Sequence, residues 1–201
     1  MRTSLKAKLA KLRPTQMALG YAEVAHKRKQ WRALGAKEAR EFLISHRFPA
    51  ISGPKGRLYI TDHHHLGRAL QEEKVASVSI ALLADLSDLD RDEFWILMDY
   101  QQWAHPYDAK GRRRDYSSMP KALDRLPDDP YRSLAAAVRR AGNYPKDATP
   151  FAEFLWADFF RRRIAPAMLR RAPKKALKRA QRFARSLEAA HLPGWSGIGK
   201  G

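Results

Sequence analysis

The chain has 201 residues, with 39 Lys and Arg against 21 Asp and Glu, which gives a formal net charge of +18 at pH 7. This length suits one ordinary domain, or one domain with an extension. So large a positive charge favours polyanionic partners such as nucleic acid, nucleotide phosphates or an anionic membrane surface. The chain contains no cysteine, which excludes disulfides, thiol catalysis and cysteine-based metal sites.

Neither a membrane span nor a secretory signal is visible in the sequence. No run of about 18 apolar residues occurs, so no transmembrane segment is predicted. The first residues, MRTSLKAKLAKLRP, are basic but lack the apolar core of a secretory signal. We therefore expect a cytoplasmic protein.

The first part of the chain carries both helix and strand signals. Thr15 can cap a helix that is predicted to run to Trp31, and a second helix is predicted over residues 37–46. Two short apolar segments, 48–51 and 58–60, flank the turn cluster Ser-Gly-Pro-Lys-Gly, which predicts a β-hairpin. A polar turn, a short helix and another strand are predicted to follow.

From about residue 88 the pattern is helical and increasingly basic. Residues 105–130 hold four prolines and form a long predicted loop. Pro130 opens a helix, and the aromatic-rich segment 151–163 is predicted to form another. Pro173 opens the last predicted helix, whose apolar stripe consists of Ala176, Ala180, Phe183 and Leu187.

These signals together predict an α+β protein with three parts. Residues 10–86 form a small mixed sheet with helices, 87–192 a basic helical extension, and 193–201 a flexible tail.

The sharpest local feature is the run Asp62-His-His-His65, at the point where the second hairpin strand gives way to a helix. The first N–H groups of a helix have no partner inside it, and the helix dipole places positive charge there, so such a turn can bind an anion. His63, His64 and His65 can add hydrogen-bond donors, and Arg68 adds a fixed charge. Asp62 can hold a metal, a ribose hydroxyl or a reacting hydroxyl.

On chemistry alone, this run has three interpretations. It can be a phosphate-binding turn, a structural cap of the helix, or a dedicated zinc site. Zinc is the least favoured of the three, because zinc-binding histidines on a helix are three or four residues apart and adjacent side chains point in different directions.

The order of these motifs resembles the ParB/sulfiredoxin N-terminal fold and, more narrowly, the ParB-like nucleases. The resemblance covers residues 10–86 and rests on three motifs in chain order: Leu12-x-Pro14-x-Gln16, Asp62-His-His-His65 and Arg68-Ala69. In ParB-type domains the corresponding turn is a Gly-Glu-Arg-Arg box that binds nucleoside triphosphate. In sulfiredoxin it is Gly-Cys-His-Arg, and the absence of cysteine here excludes that mechanism.

The box is most similar to that of the free serine kinases of this fold, Asp-Gly-His-His-Arg. Asp62, His64 and His65 match it, while His63 replaces the glycine and Leu66 replaces the arginine. Glycine lets the backbone approach a phosphate and arginine grips it with two hydrogen bonds, so both replacements weaken the expected site. Arg68 is the candidate that can compensate.

The same resemblance implies a pair of catalytic carboxylates. These kinases use a glutamate in the first helix as a base together with the aspartate of the box, at about the separation between Glu23 and Asp62. Glu23 is then the base, and Asp62 holds the metal or the phosphate. The alternative is a solvent-exposed Glu23 that pairs with Lys27, which contributes about 0.2–0.5 kcal/mol.

A basic surface is the second functional signal. Residues 161–185 contain eleven Lys and Arg and no acid, which is typical of a surface that contacts a phosphate backbone without reading sequence. The alternative is a solvated charged face, and contact with anionic lipid ranks third. The residues expected to share the outer side of the last helix are Lys174, Lys175, Lys178, Arg182 and Arg185.

The sequence supports functions from different classes. The first is binding of nucleotide or nucleic-acid phosphates by a ParB-like protein, with metal-dependent phosphotransferase or nuclease activity; Mg²⁺ and ATP, ADP or CTP are its candidate cofactors. The alternative is a non-catalytic, DNA-binding partition-type protein that uses its basic helical half. A third is a structural or toxin-like module. Whether the chain forms a homodimer stays open.

Overall fold

The computed structural model describes residues 5–197. In this part of the chain a five-stranded sheet is combined with eight α-helices. The strands are β1 Leu5–Lys8, β2 Arg13–Pro14, β3 Phe48–Gly53, β4 Arg57–Ile60 and β5 Ser77–Asp85. The helices are α1 Tyr21–Arg32, α2 Ala36–Ser45, α3 His64–Glu72, α4 Arg91–Tyr100, α5 Pro130–Arg140, α6 Ala152–Arg161, α7 Pro166–Arg171 and α8 Pro173–Ala184.

The sheet is mixed, with the strand order β1-β5-β3-β4-β2. Strands β3 and β4 form the predicted hairpin, with Ala50 opposite Ile60. Strand β5 is parallel to β3, and β2 is parallel to β4, so each parallel pair requires a crossover through helical chain. The predictions of an α+β fold, of the hairpin and of the short helix α3 are confirmed.

The predicted start of the first helix is wrong. Helix α1 begins at Tyr21, because residues 15–20 form a buried connecting segment rather than a helical turn. The Thr15 hydroxyl does not cap a helix; it donates to the backbone carbonyl of Ile60 at 2.9 Å.

Strand β1 was not predicted from the basic N-terminal sequence. It pairs antiparallel with β5, so that Leu5 lies opposite Ile80, and it forms an edge of the sheet. Lysines are well suited to an edge strand because their charge discourages pairing with another chain.

The last third of the chain contains one helix more than the sequence predicted, the short helix α7. The stripe predicted on α8 is correct for Ala176 and Ala180, which are buried, but not for Leu187, which lies beyond the helix and is 67% exposed. The tail predicted over 193–201 lies partly outside the described residues.

The chain divides into two compact units. The first runs to Leu19 and resumes over Glu23–Asp128; the second consists of Gly20–Ala22 and the chain from Asp129 onward. The first unit thus includes α4 and the long loop, and its division from the second does not coincide with the boundary predicted after residue 86. Each unit has its own apolar core, around Phe48 and Phe94 in the first and around Trp156 in the second.

The long loop after α4 is anchored within the first unit. Met119, Leu123 and Leu126 are buried, and short 3-10 turns form at Tyr116–Ser118 and Leu123–Arg125. Across residues 5–197, no helix combines the length and the apolar character that crossing a membrane requires.

Candidate functional site

The turn between β4 and α3 has a left-handed backbone at the position where the box that it resembles has glycine. His63 has φ 64° and ψ 20°, the left-handed conformation for which glycine is the usual residue. The Asp62 carboxylate accepts a hydrogen bond from the His63 N–H at 2.6 Å, and its side chain remains 65% exposed. The turn therefore keeps the glycine's conformation although a histidine stands there.

Helix α3 packs its apolar face into the first core. Leu66 is only 6% exposed, so an arginine at this position would bury its charge in an apolar environment. Gly67 also packs closely: a Cβ atom there would lie 2.9 Å from Leu123 Cδ1. Leu66 is thus a core residue of α3 at the position where the box that it resembles has an arginine.

His64 holds the turn to the segment that precedes α1. Its side chain is 4% exposed, and Nε2 accepts a hydrogen bond from the backbone N–H of Thr15 at 3.1 Å. His63 has a different environment, with its ring edge-on to Phe48 at 5.4 Å, and His65 is half-buried.

The buried segment 15–20 connects the turn to the long loop. The Thr15 carbonyl accepts from the His105 N–H at 2.8 Å, and the Leu19 N–H donates to the Pro127 carbonyl at 3.0 Å. Sequence reasoning assigned no site role to Thr15 or His105. Their partners lie far along the chain, and no local pattern could have found them.

Glu23 lies in the first turn of α1 and is only 7% exposed, so it does not occupy the solvent-exposed face that the alternative interpretation required. The far half of α1 is tied to the end of α3. Arg28 contacts Glu72 and Glu73 at 2.7 Å each, and Arg32 contacts Glu73 at 2.9 Å. Hydrogen bonds from Arg32 and Arg28 lower the pKa of Glu73 below its usual value.

Arg68 is engaged with protein groups. Its Nε lies 2.8 Å from the Glu72 carboxylate and its Nη1 donates to the Leu123 carbonyl at 3.3 Å. Only 18% of the side chain is exposed. A phosphate would have to compete with the Glu72 carboxylate for this guanidinium, so the role predicted for Arg68 requires a rearrangement.

The chemistry of the turn suits Mg²⁺ better than a metal held by protein alone. Among residues 5–197, no group of three or more His, Asp or Glu is arranged to hold a metal ion. Magnesium usually keeps several waters and binds one or two carboxylates together with the phosphates of a substrate. The exposed carboxylate of Asp62 fits that mode of binding.

Helix α8 presents its charges to solvent. Ala176, Ala180 and Ala184 face the second core and are buried. The five residues predicted for the outer side are all exposed: Lys174, Lys175, Lys178, Arg182 and Arg185. Arg185 has a partner within the protein, since its Nε donates to Asn143 Oδ1 at 2.9 Å.

Comparison with known proteins identifies the family of this chain. A family model described as "Putative ParB-like nuclease" matches residues 5–162. The chain belongs to the ParB-like nuclease family. The resemblance to the ParB-like nucleases is thereby confirmed, and the match extends through α6.

A solved structure shares the fold of the whole chain. The crystal structure of protein Atu1540 from Agrobacterium tumefaciens is 46% identical, with a TM-score of 0.90, and the similarity covers 97% of this chain and 98% of that one. Comparison with curated proteins gave no match. Helix α8 lies within the structural match but outside the part matched by the family model.

Proposed function

We propose that the β4–α3 turn binds the phosphates of a nucleotide or nucleic acid for metal-dependent phosphoryl transfer or phosphodiester hydrolysis. The observation that carries this proposal is the left-handed backbone of His63 beside the exposed carboxylate of Asp62 at the start of α3. The N-terminus of a helix favours binding of an anion, and an adjacent carboxylate can bind the metal ion that accompanies a phosphate. Membership of the ParB-like nuclease family supports a function in phosphate chemistry.

The contacts of α1 support a second carboxylate near the turn. Arg28 and Arg32, toward the end of α1, contact the acidic residues at the end of α3. Thr15, which precedes α1, contacts His64 at the start of α3. Helices α1 and α3 therefore run in the same direction, and both begin toward the β4–α3 turn. This arrangement favours the prediction that Glu23 and Asp62 serve one reaction.

In this mechanism each residue has a distinct task. Glu23 orients the attacking hydroxyl or water and accepts its proton, which is the role of the base in phosphoryl transfer. Asp62 holds Mg²⁺, which supplies positive charge for the phosphate oxygens when bound. His63, His64 and His65 are the proposed donors to the phosphate, and Nε2 of His64 already accepts from the Thr15 N–H.

A binding and activity screen tests this function. The full chain is titrated with ATP, ADP, CTP and GTP, with and without Mg²⁺, and is assayed for phosphoryl transfer and for cleavage of DNA and RNA. We expect magnesium-dependent binding of at least one nucleotide or nucleic acid. If none of these ligands binds and no substrate is turned over, the proposed function is wrong.

Two variants with matched controls assign the roles. Glu23→Gln should lower turnover by about 10²–10⁴-fold and leave binding nearly intact, because it removes a base and keeps the shape. Asp62→Asn should remove the magnesium dependence of binding. Glu41→Gln and Asp88→Asn make the same chemical changes at exposed positions and should behave like the parent. Full activity in both site variants would place the chemistry elsewhere.

A second candidate function is non-catalytic DNA binding by the basic helical half, in the cytoplasm. The exposed cations of α8 favour it, because exposed Lys and Arg displace counterions from a phosphate backbone. Duplex binding without turnover, and with affinity that falls steeply as salt rises, would select this function over the first. Sedimentation of the free chain would show whether it acts as a homodimer.

A further inference from the structure

A basic groove lies between helix α8 and the 3-10 turn Leu187–Ala189. It has a volume of about 590 Å³, within the range of about 300–1,000 Å³ that is typical of ligand sites. It lies outside residues 5–162, the part of the chain matched by the family model. Its lining residues are Lys175, Lys178, Arg179, Arg182, Phe183, Ser186 and Glu188.

The electrostatics of the groove favour an anionic chain. Lys175 and Arg179 are four residues apart on α8, as are Lys178 and Arg182, so each pair is separated by about 6 Å along the helix axis. The only carboxylate among the lining residues, Glu188, lies 2.9 Å from the Arg163 guanidinium, which offsets its charge. The four lining cations therefore form two pairs along α8, and the spacing within each pair allows successive phosphates of one strand to bind.

The remaining lining groups suit nucleobases that are not paired. The Arg179 guanidinium lies 5.6 Å from the centroid of the Phe183 ring, and that ring packs edge-on against Phe159. Unpaired bases stack on guanidinium planes and aromatic faces. The Ser186 hydroxyl donates to the Phe183 carbonyl at 2.8 Å, so Ser186, like the Glu188 carboxylate, can accept a hydrogen bond from a base edge. Bases within a duplex are already stacked and paired, so they cannot use these groups.

We infer that this groove binds single-stranded nucleic acid, with phosphates along the α8 cations and a base against Arg179 and Phe183. The inference rests on the second candidate function, nucleic-acid binding by the basic half. It adds the position of the binding site and a preference for single-stranded over duplex nucleic acid. It also separates the exposed cations of α8 into two classes. Lys174 and Arg185 do not line the groove, whereas Arg179, which sequence reasoning omitted, does.

Charge-reversal variants of one helix test the position of the site. Binding of a labelled oligothymidylate to the full chain is measured by fluorescence anisotropy. Lys178→Glu and Arg182→Glu should each weaken binding by about tenfold or more, while Lys174→Glu, the same change on the same helix, should weaken it less than about threefold. With four phosphate contacts, the parent's affinity should fall roughly 50-fold between about 50 and 200 mM salt.

A conservative variant tests stacking separately from charge. Arg179→Lys keeps the positive charge but removes the planar guanidinium, so it should weaken binding by about tenfold while the salt dependence is unchanged. Circular dichroism confirms that each variant is folded. A variant with lower affinity and an unchanged salt slope supports the stacking role, and unchanged affinity overturns it.

The remaining outcomes separate this inference from the function on which it rests. Equal losses of affinity in Lys174→Glu and Lys178→Glu would overturn the assignment of binding to the groove, while general polyanion binding by α8 would still stand. Tighter binding of a duplex than of a single strand would contradict the proposed preference for single-stranded nucleic acid. If the parent binds neither, both the groove and the second candidate function are wrong.

Discussion

The β4–α3 turn and helix α8 use polar residues in opposite ways. At the turn, His64 and Arg68 are held by partners within the first unit. On α8, Lys174, Lys175 and Lys178 extend into solvent. Fixed groups suit chemistry at a single phosphate, since a reacting atom must be positioned, whereas exposed cations suit a chain of phosphates whose position varies.

The basic run 161–185 shows the same contrast within one stretch of sequence. Its first three arginines are bound to acids: Arg161 to Asp129 at 2.6 Å, Arg162 to Asp158 at 2.9 Å and Arg163 to Glu188 at 2.9 Å. These arginines support the second unit, while the proposed binding surface begins with α8. A count of charges in the sequence does not separate these two roles.

The largest expected effect tests whether Arg161 is structural. Asp129 is 3% exposed and also accepts from the Tyr131 N–H at the start of α5, so Arg161→Met leaves its carboxylate buried without the cation. We expect a loss of about 3–5 kcal/mol in the free energy of unfolding. Urea unfolding measures it.

Lys178→Met is the matched control for that variant, because it removes the same charge from an exposed position of the same basic run. Its free energy of unfolding should stay within about 0.5 kcal/mol of the parent. Similar losses in both variants would erase the distinction between structural and surface cations.

A smaller effect tests whether His64 fixes the turn. His64→Ala removes the acceptor of the buried Thr15 N–H, which should cost about 1–3 kcal/mol. His46→Ala, at the end of α2, is the control: it removes an exposed ring that stacks on Phe42 at 3.8 Å, and it should cost less than His64→Ala. Amide hydrogen exchange should show faster exchange at Thr15 in the first variant, and unchanged protection there would contradict the fixed turn.

The smallest effect is the pH dependence of the contact between α1 and α3. Because the arginines hold the pKa of Glu73 below its usual value of 4.5, its contribution to stability is present above that pH. The contribution is lost as pH falls through the lowered pKa. Glu73→Gln should therefore reduce the loss of stability on acidification below about pH 4.5, as measured by urea unfolding at several pH values. An identical acid profile in parent and variant would contradict this account.

Local patterns predicted the elements whose signals lie within the element itself. The hairpin, α3 and α8 follow from turn residues, apolar periodicity and prolines at the start of a helix. Strand β1 and the segment 15–20 could not be predicted in this way. Leu5 forms a strand because β5 lies beside it, and Thr15, which resembles a helix cap, donates to Ile60 across the sheet.

The residues of the candidate site also fall into two groups, those found from a local motif and those brought together only by folding. Asp62 and the histidines were located by a local motif, whereas the left-handed backbone of His63, where the motif has glycine, is seen only in the folded chain. The contacts of His64 with Thr15 and of His105 with Thr15 join residues about 50 and 90 positions apart and depend on the folded chain.

The most direct test of the central claim maps a nucleotide onto both regions of the full chain at once. In a titration with ATP or CTP and Mg²⁺, followed by backbone amide resonances, we predict saturable, magnesium-dependent shifts at residues 63–66, whatever shifts arise along residues 175–182. In Asp62→Asn the magnesium-dependent part of these shifts should disappear. Shifts confined to α8, or shifts at the turn that ignore both magnesium and the Asp62 substitution, would contradict a phosphate site between β4 and α3.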